Sequence, residues 1–250
     1  MQKIKSFSIR KLAVVGMLGA ISMVLGLTPL GFIPIGPTRA TIMHIPVIIG
    51  AIVEGPVVGV LVGIIFGLFS MFQAATNPTP VSFVFLNPLV SILPRMLIGI
   101  TAYYSYEAFK KIGRKTSVFT LIIIWLSSLA YLFNKFYTDI KIDEISTATK
   151  TIEGLLIIFI LILGIYSYRK FKDQALEVVV SAAIGTLTNT VGVLFMIYFI
   201  YAADFVEKLG YSTSTAGKVI LGIGITNGIP EIIVAMLIVT GVVMGLKNKK

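Results

Sequence analysis

The sequence contains no cysteine and only one histidine, His44, in 250 residues. Without cysteine there is no disulfide, no thiolate zinc site and no cysteine-held iron–sulfur cluster. A single histidine also argues against a histidine-rich metal centre. Charge is scarce: 13% of the residues are Asp, Glu, Lys or Arg, where a soluble domain carries about 25%. Acidic residues number 11 against 21 basic ones, a formal net charge of +10. In a soluble chain that excess would suggest nucleic acid. Here the basic residues stand in short clusters between apolar stretches, so they read as topology signals and no nucleic-acid partner is expected. Catalytic signatures are missing as well. There is no Walker A sequence, no His-Glu-x-x-His and no Gly-x-Ser-x-Gly elbow. There is no chain of intramembrane carboxylates of the kind a proton pump uses. An enzyme is therefore not expected, and energy for uphill transport would have to come from a partner.

What is present is apolar sequence: 56% of the residues are hydrophobic and the mean hydropathy is +0.96. A spanning helix needs roughly 20 apolar residues. Eight stretches qualify: 9–28, 41–54, 56–74, 86–109, 117–138, 152–169, 175–201 and 215–246. The second is short and carries Pro46; the fifth and sixth are the weakest. The expectation is an all-α integral membrane protein of one domain, without a cleavable signal peptide or a soluble domain at either end. With the N-terminus in the cytoplasm, 14 of the 21 basic residues fall on the inner side and six on the outer. Lys3, Lys5, Arg10, Lys11, Lys110, Lys111, Arg114 and Lys115 belong to the inner set. That bias predicts an even number of spans with both termini cytoplasmic. The outer loop 139–151 carries both signs and reads as solubilising.

Small residues mark helix faces that can pack closely in lipid. Gly55, Gly59, Gly63 and Gly67 repeat every four residues in the third span. They fit either intramolecular packing or a surface that slides or docks. Ala13, Gly16 and Ala20 on the first span fit a face that meets a partner protein.

Ionisable groups inside a membrane are costly and default to functional hypotheses. At about 1.5 Å per residue, Arg95 lies roughly 13 Å from the outer end of its span. Asn189 and Asn227 lie roughly 18 Å from the outer ends of theirs. Glu231 follows Asn227 by four residues, so the two share a helix face. Three helices thus carry polar groups to comparable depth, as a buried ligand site requires. The competing reading is that Arg95 and Glu231 pair with each other only to hold the bundle. Thr186, three residues before Asn189, reads as helix glue. Pro94 and the Gly228–Pro230 stretch are expected to loosen their helices at this depth. Segments 28–40 and 74–88 contain almost no charge, Arg39 excepted, and both are rich in proline. They are expected to fold back over the bundle as lids, bringing Arg39 and Asn87 to the site, with His44 near the outer end of the second span.

These stretches resemble the substrate-binding S components of energy-coupling factor transporters, a family of vitamin importers. The resemblance rests on Thr41-Ile-Met-His-Ile-Pro-Val-Ile-Ile-Gly-Ala-Ile52 running into the glycine repeat, on Leu93-Pro-Arg-Met-Leu-Ile-Gly99, and on Gly185-Thr-Leu-Thr-Asn-Thr190 with Asn227-Gly-Ile-Pro-Glu231. It covers roughly 1–112 and 174–250. It implies a six-helix bundle binding one vitamin near the outer face, through Arg95, Asn189, Asn227 and Glu231 beneath the two loops. It also implies docking on a transmembrane T component, with Ala13, Gly16 and Ala20 at the contact. Two cytoplasmic ATPase subunits would hydrolyse ATP, and this chain would hold no cofactor or metal. The region 113–173 departs from the family pattern and reads as an inserted helical hairpin. A carboxylate cargo would suit Arg95 or Arg39, and amide or hydroxyl groups would suit the asparagines, which ranks pantothenate first. Pyridoxine-like compounds, hydroxymethylpyrimidine and cobalamin stay open, since Glu231 would suit a basic nitrogen. A self-sufficient channel or secondary transporter, and a ligand-free scaffold, are the readings from other classes.

Overall fold

The computed structural model describes residues 8–28, 31–35, 38–112 and 176–247, with isolated positions between 119 and 161. The described chain is helical apart from one short hairpin. Helix α1 spans Ile9–Leu27 and starts at Ser8, whose hydroxyl accepts the Lys11 N–H. Strands β1 (Phe32–Ile35) and β2 (Thr38–Thr41) pair antiparallel, with Phe32 opposite Thr41. The backbone there is a β-hairpin, where the sequence reading expects an irregular loop.

Helices α2 (Ile45–Glu54) and α3 (Pro56–Thr76) are separated by Gly55 alone. Its φ of +103° is open to glycine and strained for other residues. Pro56 then starts α3, where a missing N–H costs nothing. A 3-10 turn at Ser82–Leu86 and a four-residue helix α4 (Pro88–Ser91) lead to α5 (Leu93–Ile112). Pro94 is therefore the second residue of α5, not a mid-helix break, and the expected span 86–109 is divided near Ile92. Helix α6 covers Leu176–Lys208, with non-helical angles at Tyr201. Helix α7 covers Ala216–Lys247 and contains Pro230, which leaves the Thr226 carbonyl without its intrahelical donor.

Four segments are long and apolar enough to cross a membrane: α1, α3, α6 and Thr213–Lys247. Helix α5 has the length but carries Arg95, Glu107, Lys110 and Lys111; α2 is too short to cross. The expected spans 117–138 and 152–169, and with them the full inserted hairpin, lie outside the described residues. Among the positions described there, Leu129, Phe136 and Ile157 pack against Ile225, Ile229, Ile233 and Leu237 of α7.

The core forms where α2, α3, α5, α6 and α7 meet, around Ile48, Val58, Val62, Ile98, Ala182 and Val239. Glycines set its tightest seam. A Cβ on Gly59 would stand 2.8 Å from Gly99 Cα, and one on Gly67 would stand 2.7 Å from the Ser91 carbonyl. A Cβ on Gly63 would collide with the Arg95 carbonyl. The repeat is thus an internal groove for the backbone of α4 and α5, and it fixes the height of Arg95. It is not a sliding surface, and Gly55 belongs to the turn and not to the ridge. Hydroxyls add polar links across the next seam. Thr101 and Thr188 are 2.8 Å apart, and Ser181 donates to the Ala102 carbonyl.

At the end opposite the hairpin, Arg10 pairs with Glu54 at 2.7 Å, and Lys247 donates to the Tyr106 hydroxyl at 2.7 Å. These contacts tie α1 to α2 and α7 to α5. Helix α1 is otherwise lightly packed. Ala13, Gly16 and Ala20 are exposed, while Val15, Leu18, Gly19 and Ser22 face inward.

Candidate ligand-binding site

Four helices bring buried polar groups together beside the base of the hairpin. Arg95 enters from the first turn of α5 and is 6% exposed. Its Nη1 donates to the Val90 carbonyl at 2.6 Å. The guanidinium carbon lies 5.3 Å from the centroid of Phe66 and 5.8 Å from that of Phe85. Pro94, four residues after Val90, has no N–H to give the Val90 carbonyl, so that carbonyl is free to accept from the guanidinium. The two aromatic faces contribute about 2 kcal/mol each when desolvated. They do not replace a counter-charge, and Nε has no hydrogen-bond partner.

Glu231 is 4% exposed on α7. Its Oε1 accepts the Thr41 N–H at 2.7 Å, and its Oε2 accepts the Thr190 hydroxyl at 2.7 Å. Arg95 and Glu231 form no direct ion pair; the ion pairs among the described residues lie elsewhere. The reading of a plain structural pair is therefore not what the geometry presents.

His44 is fully buried at the start of α2, with Nε2 3.0 Å from the Thr186 hydroxyl. That hydroxyl donates to the Ala182 carbonyl at 2.9 Å. The Nδ1 of His44 is buried without a hydrogen-bond partner. Asn189 is 6% exposed, and its Oδ1 is likewise unpartnered. It sits on α6 between Thr186, which meets His44, and Gly192, which packs on Pro94. Buried polar atoms without partners cost about 1–3 kcal/mol each. Clustered donor and acceptor atoms of this kind suit a polar ligand.

The other expected residues are placed differently. Asn227 is half-buried one turn before Glu231. The Asn87 side chain caps α4 through the Leu89 N–H at 2.9 Å and donates to the Tyr201 hydroxyl at 3.1 Å. Arg39 stands opposite Pro34 in the hairpin; its side chain lies outside the described residues. The second outer segment is a packed wall. Val84 is fully buried among Val193, Ile197 and Phe205, and Phe83 stacks edge-on against Tyr201 at 5.6 Å. Sequence reasoning missed Phe66, Phe85 and Thr190. Thr186 and Thr190 are one helical turn apart, a signal that could have placed Thr190 on the site face.

A separate cavity of about 650 Å³ opens between α6 and α7. Leu194, Tyr198, Leu221 and Ile225 are among its lining residues, and Thr190 is where it approaches the polar cluster. Its apolar walls do not match a polar cargo, so the cluster around Arg95 is the better candidate site.

Comparison with known sequences identifies the family. The family model "ECF transporter, substrate-specific component" matches residues 10–142 and 145–243. A protein named "Pantothenic acid transporter PanT" from Lactococcus lactis subsp. cremoris is 31% identical over 116 residues, covering 39% of this chain and 59% of that protein. A "Pantothenate transporter PanT" from Leuconostoc mesenteroides subsp. mesenteroides is 28% identical over 173 residues, covering 65% of this chain and 81% of that protein. With the family match running over nearly all of the described helices, this multi-pass membrane chain belongs to the substrate-specific component family of ECF transporters.

Proposed function

We propose that this chain captures pantothenate in the membrane for import by an energy-coupling factor transporter. The observation that carries the reading is Arg95: a buried guanidinium with aromatic faces, one carbonyl contact and no carboxylate in direct contact. A cargo carboxylate would supply the missing charge through charge-assisted hydrogen bonds. The unpartnered Asn189 Oδ1 and His44 Nδ1 are left to hydrogen-bond polar groups of the cargo. Asn227 and Arg39 complete the proposed contacts. The two relatives' names support the same cargo.

Cargo with a basic nitrogen is the second reading. It is less well supported, because both oxygens of Glu231 already accept protein hydrogen bonds. No catalytic role is assigned, and ATP hydrolysis falls to partner subunits. The exposed Ala13, Gly16 and Ala20 are proposed to dock on the T component, with both termini in the cytoplasm.

The test is titration of the purified chain with pantothenate, pyridoxine and hydroxymethylpyrimidine, by calorimetry and thermal shift. Pantothenate is expected to bind and Arg95→Ala to weaken it at least 100-fold, about 2.7 kcal/mol. Equal affinity in the wild type and Arg95→Ala rejects the site. Binding of an amine cargo in place of pantothenate rejects the cargo.

A further inference from the structure

Glu231 has two arms, and they reach different parts of the molecule. Oε1 takes the N–H of Thr41, the last residue of β2, and Oε2 takes the hydroxyl of Thr190 on α6. Thr41 stands at the free edge of a two-stranded sheet, whose other edge is β1. An edge N–H away from water needs an acceptor, and Glu231 supplies it from α7.

The neighbouring backbone is held from other sides. Ser22 of α1 donates to the Met43 carbonyl at 2.9 Å, and His44 meets Thr186 of α6. Ile42 N–H donates to the Gly31 carbonyl at 3.0 Å, closing the base of the hairpin. The segment 41–44 is therefore fastened to α1, α6 and α7. Of these links, the one to Glu231 alone runs through a group with two acceptor oxygens, each used by a different element. It also joins the hairpin to both helices of the proposed site at once.

We propose that Glu231 is a positioning residue: a two-armed strut that holds the base of the β-hairpin against α6 and α7, and that does not bind cargo itself. This deepens the capture reading and rests on it, because the hairpin base flanks Arg95 and Asn189. The strut also spends the site's carboxylate inside the protein, which leaves Arg95 available to an anion.

The strut is tested by hydrogen–deuterium exchange on the full purified chain in lipid nanodiscs, with no vitamin added. Glu231→Ala should raise exchange across 38–44 at least tenfold and leave α3 unchanged. Glu231→Gln keeps an acceptor for Thr41 and should stay within about twofold of the wild type. Thr190→Val removes one arm and should give an intermediate rise; it decides the matter if Glu231→Ala loses α3 protection and so fails to fold. In the same variants, a bound carboxylate cargo should dissociate faster from Glu231→Ala than from Glu231→Gln. Unchanged exchange at 38–44 in Thr190→Val and Glu231→Ala overturns the strut, and so does Glu231→Gln behaving like Glu231→Ala. Because the exchange arm contains no vitamin, a wild-type chain that fails to bind pantothenate sinks the cargo assignment and leaves the strut to its own result.

Discussion

At the residue scale, the site is built from groups whose partners the sequence does not name. Arg95, Asn189, His44 and Glu231 stand out in sequence because they are polar inside apolar stretches. Pro94 leaves the Val90 carbonyl without a helical donor, so it accepts from Arg95; the approach of Phe85 from the 3-10 turn carries no such signal. Asn87 shows the converse. The lid reading of segment 74–88 brings it to the cargo, but its side chain is spent on capping α4 and on Tyr201. Asn87→Ala is therefore expected to lower the melting temperature, at a cost of about 1 kcal/mol for the lost cap, with cargo selectivity unchanged in a competition assay. Thr186→Val removes the hydroxyl that meets His44 Nε2 and leaves that nitrogen buried and unpaired. That should cost about 1–3 kcal/mol, read as a lower melting temperature in detergent.

At the scale of elements, the helices were the legible part. Long apolar runs bounded by basic clusters or proline predict α1, α3, α6 and α7 closely. The hairpin was not legible: Phe32–Thr41 contains proline and glycine and lacks a clear alternation, so it reads as a loop. The glycine repeat was visible, but its partner was not, since a small residue records only that something comes near. Gly63 meets the α5 backbone, and Gly16 meets nothing within 4 Å. Substitution should separate them. Gly63→Ala overpacks the α3–α5 seam, which typically costs about 1–3 kcal/mol, and it should displace Arg95 enough to abolish binding. Gly16→Leu should leave the melting temperature and cargo binding of the isolated chain unchanged. Its proposed effect is on co-purification with the T component, and full recovery of the complex would remove α1 from that interface.

At the scale of the molecule, two coverings of the site follow from the packing. The segment around Val84 is locked into a cluster with α6 and α7. The base of the hairpin is held by the contacts of Thr41–His44. Reconstituted alone in liposomes, the chain should bind pantothenate without accumulating it. Accumulation should require the T component, both ATPase subunits and ATP; flux through the lone chain would instead make it a self-sufficient carrier.

The cradle of Arg95 also bears on how the protein is made. Val90, Phe66, Phe85 and the groove at Gly63 all precede residue 112. The ribosome therefore delivers the whole cationic half of the site before Asn189 or Glu231 has been synthesised. During insertion, the buried guanidinium can be sheltered by its own neighbours while the later helices are still to come. A gene split after residue 112 and expressed as two pieces should consequently reassemble into a chain that binds cargo.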